Sequence, residues 1–152
     1  MISKFERFSI AISYINRCIQ KIEREEMAKY GLKGPHAECL LVLNQYPEGI
    51  TAARLCEVSD KDKAAVSRML AELEENGMII REDPDGKRYR AQLKLTEKGK
   101  HVAADVNYLM SLAVAKAISG VEYSKGEAFF QVLKLIMENL DTMAREGLNP
   151  NE

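Results

Sequence analysis

The amino-acid sequence predicts a mainly α-helical fold with one small β-hairpin wing, and three patterns carry that prediction. Large apolar residues recur at steps of three and four along both ends of the chain, the spacing of amphipathic helices. Short helical stretches punctuated by Gly, Pro and Asp lie between those ends. The period then switches to alternation on either side of Asp83-Pro84-Asp85-Gly86, a strong hairpin turn because Pro presets one turn residue and Gly accepts positive φ.

Each element follows from local chemistry. From about residue 2 to residue 30, Phe5, Phe8, Ile12, Ile15, Ile19 and Ile22 form a narrow seam on one long helix. Such a seam packs against the same chain or against a second copy, and its length and Ile/Phe composition fit either. Gly31 suits the position after a helix end, and Pro35 suits the first turn of the next helix. In that next helix Ala37, Leu40, Leu41 and Leu43 face inward, and Tyr46-Pro47-Glu48-Gly49 closes it.

Thr51 is placed to cap a short helix over 52–57, with Ala53 and Leu55 as its buried residues. Val58-Ser59-Asp60-Lys61 is read as a tight turn. A helix over 62–76 follows, burying Val66, Met69, Leu70 and Leu73, and Gly77 fits a left-handed stop. Strands are expected over 78–82 and 89–95, the second with Tyr89, Ala91, Leu93 and Leu95 on one face. Thr96 caps a helix over 97–119 with Val102, Val106, Leu109 and Ala113 in register, and Gly120 ends it. Ser124 and Glu127 read as a capping box for a last helix carrying Phe129, Leu133, Ile136, Leu140 and Met143. The polar tail from Gly147 is expected to fray.

Composition narrows the function classes. At 152 residues, 46% hydrophobic and 30% charged, the chain is long enough for one domain or two small lobes and too apolar for a disordered segment. No apolar run approaches the ~20 residues of a membrane span, and the N-terminus has no secretory pattern, so the expected compartment is the cytoplasm. Three widely spaced cysteines, Cys18, Cys39 and Cys56, exclude a CxxC zinc or redox motif and are expected to be buried, inert thiols. His36 and His101 are not at metal-ligand spacing, so neither a metal nor a cofactor is expected. No Ser/His/Asp set or phosphate loop points to an enzyme. A net charge of -1 means that any nucleic-acid binding must come from local concentration of basic residues.

Two short helices joined by a tight turn and followed by a hairpin make a winged helix-turn-helix. A major groove about 12 Å wide admits one helix, which must bury one stripe and offer small or polar residues on the other side. The helix over 62–76 does this, with Lys63, Ala64, Ser67, Arg68 and Ala71 opposite its apolar stripe. Thr51, Lys61, Lys63, Ala64, Ser67 and Arg68 are therefore the candidate DNA contacts, with Lys87 and Arg88 in the wing. Asp60 and Asp62 suit the helix start, where they favour the dipole, whereas Asp83 and Asp85 leave the wing only modestly attractive to phosphate.

The run from Thr51 to Arg81, with Ala64-Ala65-Val66-Ser67-Arg68 at its centre and Asn76-Gly77-Met78-Ile79-Ile80-Arg81 at its end, resembles the MarR (multiple antibiotic resistance regulator) family. So does Leu95-Thr96-Glu97-Lys98-Gly99, and the long flanking helices fit that family's layout. The resemblance implies a homodimer held by interlocked N- and C-terminal helices, here 1–30 and 121–152, with a DNA-binding lobe over 31–96 and a connecting helix over 97–120. Phe8, Ile12, Ile15 and Ile19 would meet Phe129, Leu133, Ile136 and Leu140 in the interface. The resemblance also implies a palindromic operator with half-sites about 34 Å apart. The family's commonest wing carries Asp-x-Arg; those positions hold Lys87 and Tyr89 here, which leaves Lys87 and Arg88 as the wing candidates.

The same resemblance implies a repressor responsive to a small amphipathic effector in a cleft between dimer helices and lobe. His36 is the candidate lining residue, set against a surface or capping role. Family peroxide sensors place a reactive cysteine where Phe8 and Ser9 stand, and tyrosines where Gly34 and Ala37 stand, so thiol sensing by that route is not expected. The reading is thus a sequence-specific transcriptional regulator with double-stranded DNA and itself as partners. A winged-helix protein-interaction module without DNA binding is the alternative.

Overall fold

The computed structural model describes residues 3–83, 86–87 and 90–148. Its described elements run α1 (Lys4–Ala28), α2 (His36–Asn44), α3 (Ala52–Ser59), α4 (Lys63–Glu75), β1 (Ile79–Glu82), β2 (Gln92–Leu95), α5 (Glu97–Ala117) and α6 (Tyr123–Glu146). The chain divides into two compact units, Met1–Met110 and Ser111–Glu152, with the boundary inside α5.

In the first unit, Ser3 starts α1 with a capping box: its hydroxyl accepts the Glu6 N–H while the Glu6 carboxylate takes the Ser3 N–H. The α1 seam is exposed. Phe5, Phe8, Ile12, Ile15, Ile19 and Ile22 are all exposed, and Met27 is the helix's one residue among those described that enters the core. Gly31, at φ 70°, turns the chain toward α2, as the left-handed position after a helix demands.

The core lies among α2, α3, α4, the hairpin and the first half of α5. Leu40, Leu43, Leu55, Val66, Leu70, Leu73, Met78, Ile79, Leu93, Val102 and Val106 are fully or almost fully buried in it. The expected stripe of α4, Val66, Met69, Leu70 and Leu73, is the observed one. In α3 the expectation for Ala53 is corrected. Ala53 is exposed, and the packed side is Ala52, Leu55 and Cys56, because α3 continues to Ser59 and its inward stripe follows the i, i+3, i+4 rule from Ala52. The turn accordingly starts two residues later, with Asp60 in the left-handed region at φ 48°, a conformation that Asp tolerates better than most residues.

β1 and β2 pair antiparallel with Ile79 opposite Leu95 and Arg81 opposite Leu93. The second strand starts at Gln92 rather than at 89. Ala91 and Leu93 are buried as expected, while Tyr89 lies outside the described residues. An addition comes from Ile50, which exchanges both backbone hydrogen bonds with Leu93 and acts as a one-residue third strand. Ile50 gives no period-2 signal, since it stands alone between Gly49 and the cap of α3.

The α4–β1 turn is locked to the start of α5. Thr96 Oγ1 donates to Gly77 O at 2.6 Å and accepts the Gly99 N–H at 3.0 Å, capping α5 as expected. Gly99 sits so close to β1 that a Cβ there would stand 2.0 Å from the Met78 carbonyl oxygen. In the second unit, α6 starts differently from the expectation. Glu122 is its N-cap residue, and the Ser124 hydroxyl donates to the Glu122 carboxylate instead of accepting a helix N–H. The helix begins one residue before Ser124, which puts that side chain inside the first turn. Nothing on α6 is buried by the chain itself, and Phe129, Leu140 and Met143 are exposed.

Gly99→Ala is expected to lower stability by about 3 kcal/mol, the upper end of the overpacking range, because backbone rather than a flexible side chain must move. Thermal unfolding measures it; a melting temperature unchanged by the substitution would contradict the close approach.

Candidate nucleic-acid interface

The candidate helix is presented by its neighbours. Thr51 Oγ1 accepts the Arg54 N–H at 3.2 Å and starts α3. At the far end of α3, Ser59 Oγ donates to Leu55 O and the Lys61 N–H bonds Cys56 O, closing the turn around Asp60. Asp62 Oδ1 then accepts the Ala65 N–H at 2.8 Å and starts α4. With Val66, Met69, Leu70 and Leu73 buried, the outward residues Lys63, Ala64, Ser67, Arg68 and Ala71 are all exposed.

Three of the acidic residues in and around α4 are engaged elsewhere. Glu72 takes Lys33 Nζ at 2.6 Å, Glu74 takes Arg81 Nε at 3.0 Å, and Asp62 is a cap. In the hairpin, Glu82 holds Lys94 at 2.7 Å, and Asp83 Oδ1 accepts the Lys87 N–H at 2.8 Å. Exposed pairs of this kind contribute little stability, but they neutralise carboxylates beside the outward face. Neither Lys63 nor Arg68 has an ion-pair partner among the described residues, so both keep their charge unspent. Lys61 differs from the other candidates in pairing with Glu38 of α2. Arg88 lies outside the described residues.

A cleft of about 960 Å³ opens in the first unit between α1, the α1–α2 connection and α4. Ile19, Ala28, Leu32 and Met69 supply apolar wall, and Arg24, Arg68 and Lys61 stand among its charged residues. His36 belongs to this cleft and is not a surface residue. It is 2% exposed, because the apolar side of α2 carries it into the fold. Its Nδ1 accepts the Lys33 N–H at 2.9 Å, and Nε2 lies 3.0 Å from Glu72 Oε2 without an aligned hydrogen bond. Burial holds the imidazole below the usual histidine pKa despite the opposing pull of Glu72. Hydrogen bonding from Lys33 holds the Glu72 carboxyl below the usual carboxylate range, whereas burial raises that of Glu23. Thirty-six positions separate His36 from Glu72, and no sequence pattern joins them.

The cysteines separate. Cys39 is buried and its thiol is pushed up to about 12 by desolvation, while Cys56 is half-buried. Cys18 corrects the expectation of three buried thiols: it is exposed, since α1 is covered by this chain only near Met27. Among the described residues no cluster of His, Cys, Asp or Glu is arranged to hold a metal ion, and no helix is long and apolar enough to cross a membrane.

The short α3 and α4, the close turn, the antiparallel hairpin and the long α5 together form a winged helix-turn-helix, and a family model matches this region. Residues 30–88 match the MarR family. The winged lobe is thus similar to that family over these residues. Solved structures extend the likeness over most of the chain. A MarR transcriptional regulator from Methanosarcina mazei Go1 superposes with a TM-score of 0.81 at 24% identity, covering 91% of this chain and 99% of that one. A putative MarR family regulator from Listeria monocytogenes, complexed with a 26mer DNA, gives 0.75 at 23% identity and covers 91% and 94%. The S. aureus MepR–DNA complex gives 0.78 at 15% identity and covers 87% and 97%. The chain therefore has the fold of MarR-family transcriptional regulators. No curated protein matches the sequence.

Alkylation of the native protein at pH 8 is expected to spare Cys39, with modification following only on unfolding, since the thiolate is the reactive form. Peptide mapping reads this out, and rapid native labelling of Cys39 would contradict its burial.

Proposed function

We propose that this chain is a sequence-specific DNA-binding transcriptional regulator that acts as a homodimer on a palindromic operator, as a ligand-responsive repressor. The observation that carries the DNA reading is the outward face of α4. It offers Lys63, Ala64, Ser67 and Arg68 in one exposed strip, with Glu72 and Glu74 of the same helix paired off. The small Ala64 and Ala71 let the helix approach base edges closely. Arg68 is the residue for bidentate contact with guanine, Ser67 for a weaker polar contact, and Lys63 for phosphate. Thr51 at the α3 cap and Lys87 in the wing are the flanking contacts, and Lys61 serves by holding the α3–α4 turn to Glu38. The fold it shares with proteins solved in complex with DNA supports this reading.

The homodimer rests on apolar surface. Phe8, Ile12, Ile15 and Ile19 on α1 are each between 42% and 49% exposed, and α6 separately presents Phe129 and Leu140 with half-buried Leu133 and Ile136. Contiguous exposed apolar surface on this scale marks an association site, and each such side chain contributes up to about 1.5–3 kcal/mol when fully buried. These two stripes are the proposed intersubunit surface. The cleft beside α4 is of the size that small ligands occupy, roughly 300–1,000 Å³, and is the proposed effector site.

DNA selected from a random pool gives the operator and its symmetry. Binding to it is expected to weaken steeply with salt as counterions are released, and Arg68→Ala to cost ~1–3 kcal/mol on that site but little on unrelated DNA. Association without salt dependence would instead support a protein-interaction module. Ile15→Asp is expected to convert the dimer to monomer in sedimentation; a variant that sediments as a dimer would sink the proposed interface.

A further inference from the structure

Arg68 is the residue of α4 that two surfaces share. With about 3.6 residues per turn, it lies about 40° round the helix from Ala64 on the outward strip and about 40° the other way from Glu72 on the cleft wall. Its side chain is exposed, lines the cleft and has no hydrogen-bond or ion-pair partner among the described residues. Arg24 lines the same cleft from α1, equally exposed and equally without a partner among those residues. Its place is set by the α1–α2 connection, which packs on its backbone: a Cβ at Gly34 would stand 3.5 Å from Arg24 Cα. The other charges of the cleft are already engaged. Glu72 takes Lys33, and Glu38 takes Lys61. Glu23, the remaining carboxylate, stands in the fields of both Glu38 and Lys61, and burial keeps His36 neutral at neutral pH. Four cationic side chains thus face three carboxylates, and the two cations left open are both guanidiniums. Paired N–H donors in one plane suit a carboxylate. Ala28, Leu32 and Met69 supply apolar wall in the same cleft, so its chemistry complements a small organic acid.

We propose that the cleft binds a small organic carboxylate, held between Arg24 and Arg68 with its apolar body toward Leu32 and Met69, and that this anion and DNA compete for the one Arg68 side chain. The site is the effector cleft proposed above, and the competition rests on the DNA reading; binding of the anion does not. Coupling of this kind needs no movement of α4. A guanidinium engaged by a carboxylate on the cleft side is withdrawn from the outward strip, and one engaged by a base or a phosphate is withdrawn from the cleft. The effect has a ceiling, because the anion removes no more DNA affinity than Arg68 itself contributes. For a bidentate base contact that ceiling is about 5- to 150-fold. By linkage, bound operator lowers the affinity for the anion by the same factor.

The test uses the full-length protein at constant ionic strength. Calorimetry without DNA compares benzoate and octanoate with benzamide and benzylamine. The two carboxylates are expected to bind about tenfold or more tighter than the amide or the amine, and Arg24→Gln and Arg68→Gln each to weaken them by a similar factor. Both side chains are exposed, so neither substitution disturbs the core. Saturating benzoate is then expected to lower the operator affinity of the wild type to that of benzoate-free Arg68→Gln and no further. The operator affinity of Arg68→Gln is expected to ignore benzoate. Failure of either carboxylate to bind, equal binding of benzamide, or carboxylate binding indifferent to both substitutions overturns the anion site. A wild-type operator affinity untouched by benzoate, a loss beyond the Arg68→Gln level, or a loss that persists in Arg68→Gln overturns the competition for Arg68. If the protein binds no DNA at all, the DNA reading falls and the competition with it, while the calorimetry still judges the anion site.

Discussion

The junction where Gly99 meets the Met78 carbonyl sets the rest of the winged lobe. Thr96 hydrogen-bonds the Gly77 carbonyl and caps α5 with the same hydroxyl, so one side chain ties the end of α4 to the start of α5. Gly99 lets α5 lie directly on the backbone that leads into β1. From that contact follow the placing of Val102, Ala103 and Val106 in the core and the emergence of the hairpin beside α4. A larger residue at 99 pushes against backbone, which has no rotamer to yield, and the strain reaches β1, α4 and α5 together.

The lobe divides the surface of α4 among three tasks. Val66, Met69, Leu70 and Leu73 anchor it in the core. Lys63, Ala64, Ser67 and Ala71 face solvent, and Ala65, Arg68, Met69 and Glu72 border the cleft toward α1 and α2. The helical repeat makes this division possible, since positions three and four apart share a side while their neighbours turn away. Arg68 stands at the edge between the outward strip and the cleft, and Glu72 stands one turn further along on the cleft side. Part of the cleft wall is therefore the surface of α4 itself.

Charge placement explains how an almost neutral chain can present a basic strip. Lysines and arginines are not in excess over the acids, and Asp62, Glu72, Glu74 and Glu82 are drawn into a cap and pairs with Lys33, Arg81 and Lys94. What is left unpaired on the outward face is Lys63 and Arg68. This is local electrostatics, invisible in a net charge of -1. The exposed Ile/Phe seam of α1 shows the same gap between composition and outcome. Its periodicity marks an apolar face, and its residues are exposed.

Local chemistry in the sequence determined the elements. Thr51, Asp62 and Thr96 each cap the helix that follows because a hydroxyl or carboxylate meets a free N–H within three residues, a contact that needs no tertiary help. The buried stripe of α4 and the hairpin were legible for the same reason, as periodicity is a property of neighbouring residues. Ser124 misled, because two possible starts one residue apart offer similar local bonds and α6 is held by no buried residue that would choose between them. Only the tertiary structure decided the long-range matters: that Ile50 pairs with Leu93, that Lys61 turns to Glu38, and that His36 meets Glu72 across thirty-six residues. These contacts depend on how α2 packs against α4 and β2. That packing is a sum over many apolar side chains, and no short stretch of sequence contains it.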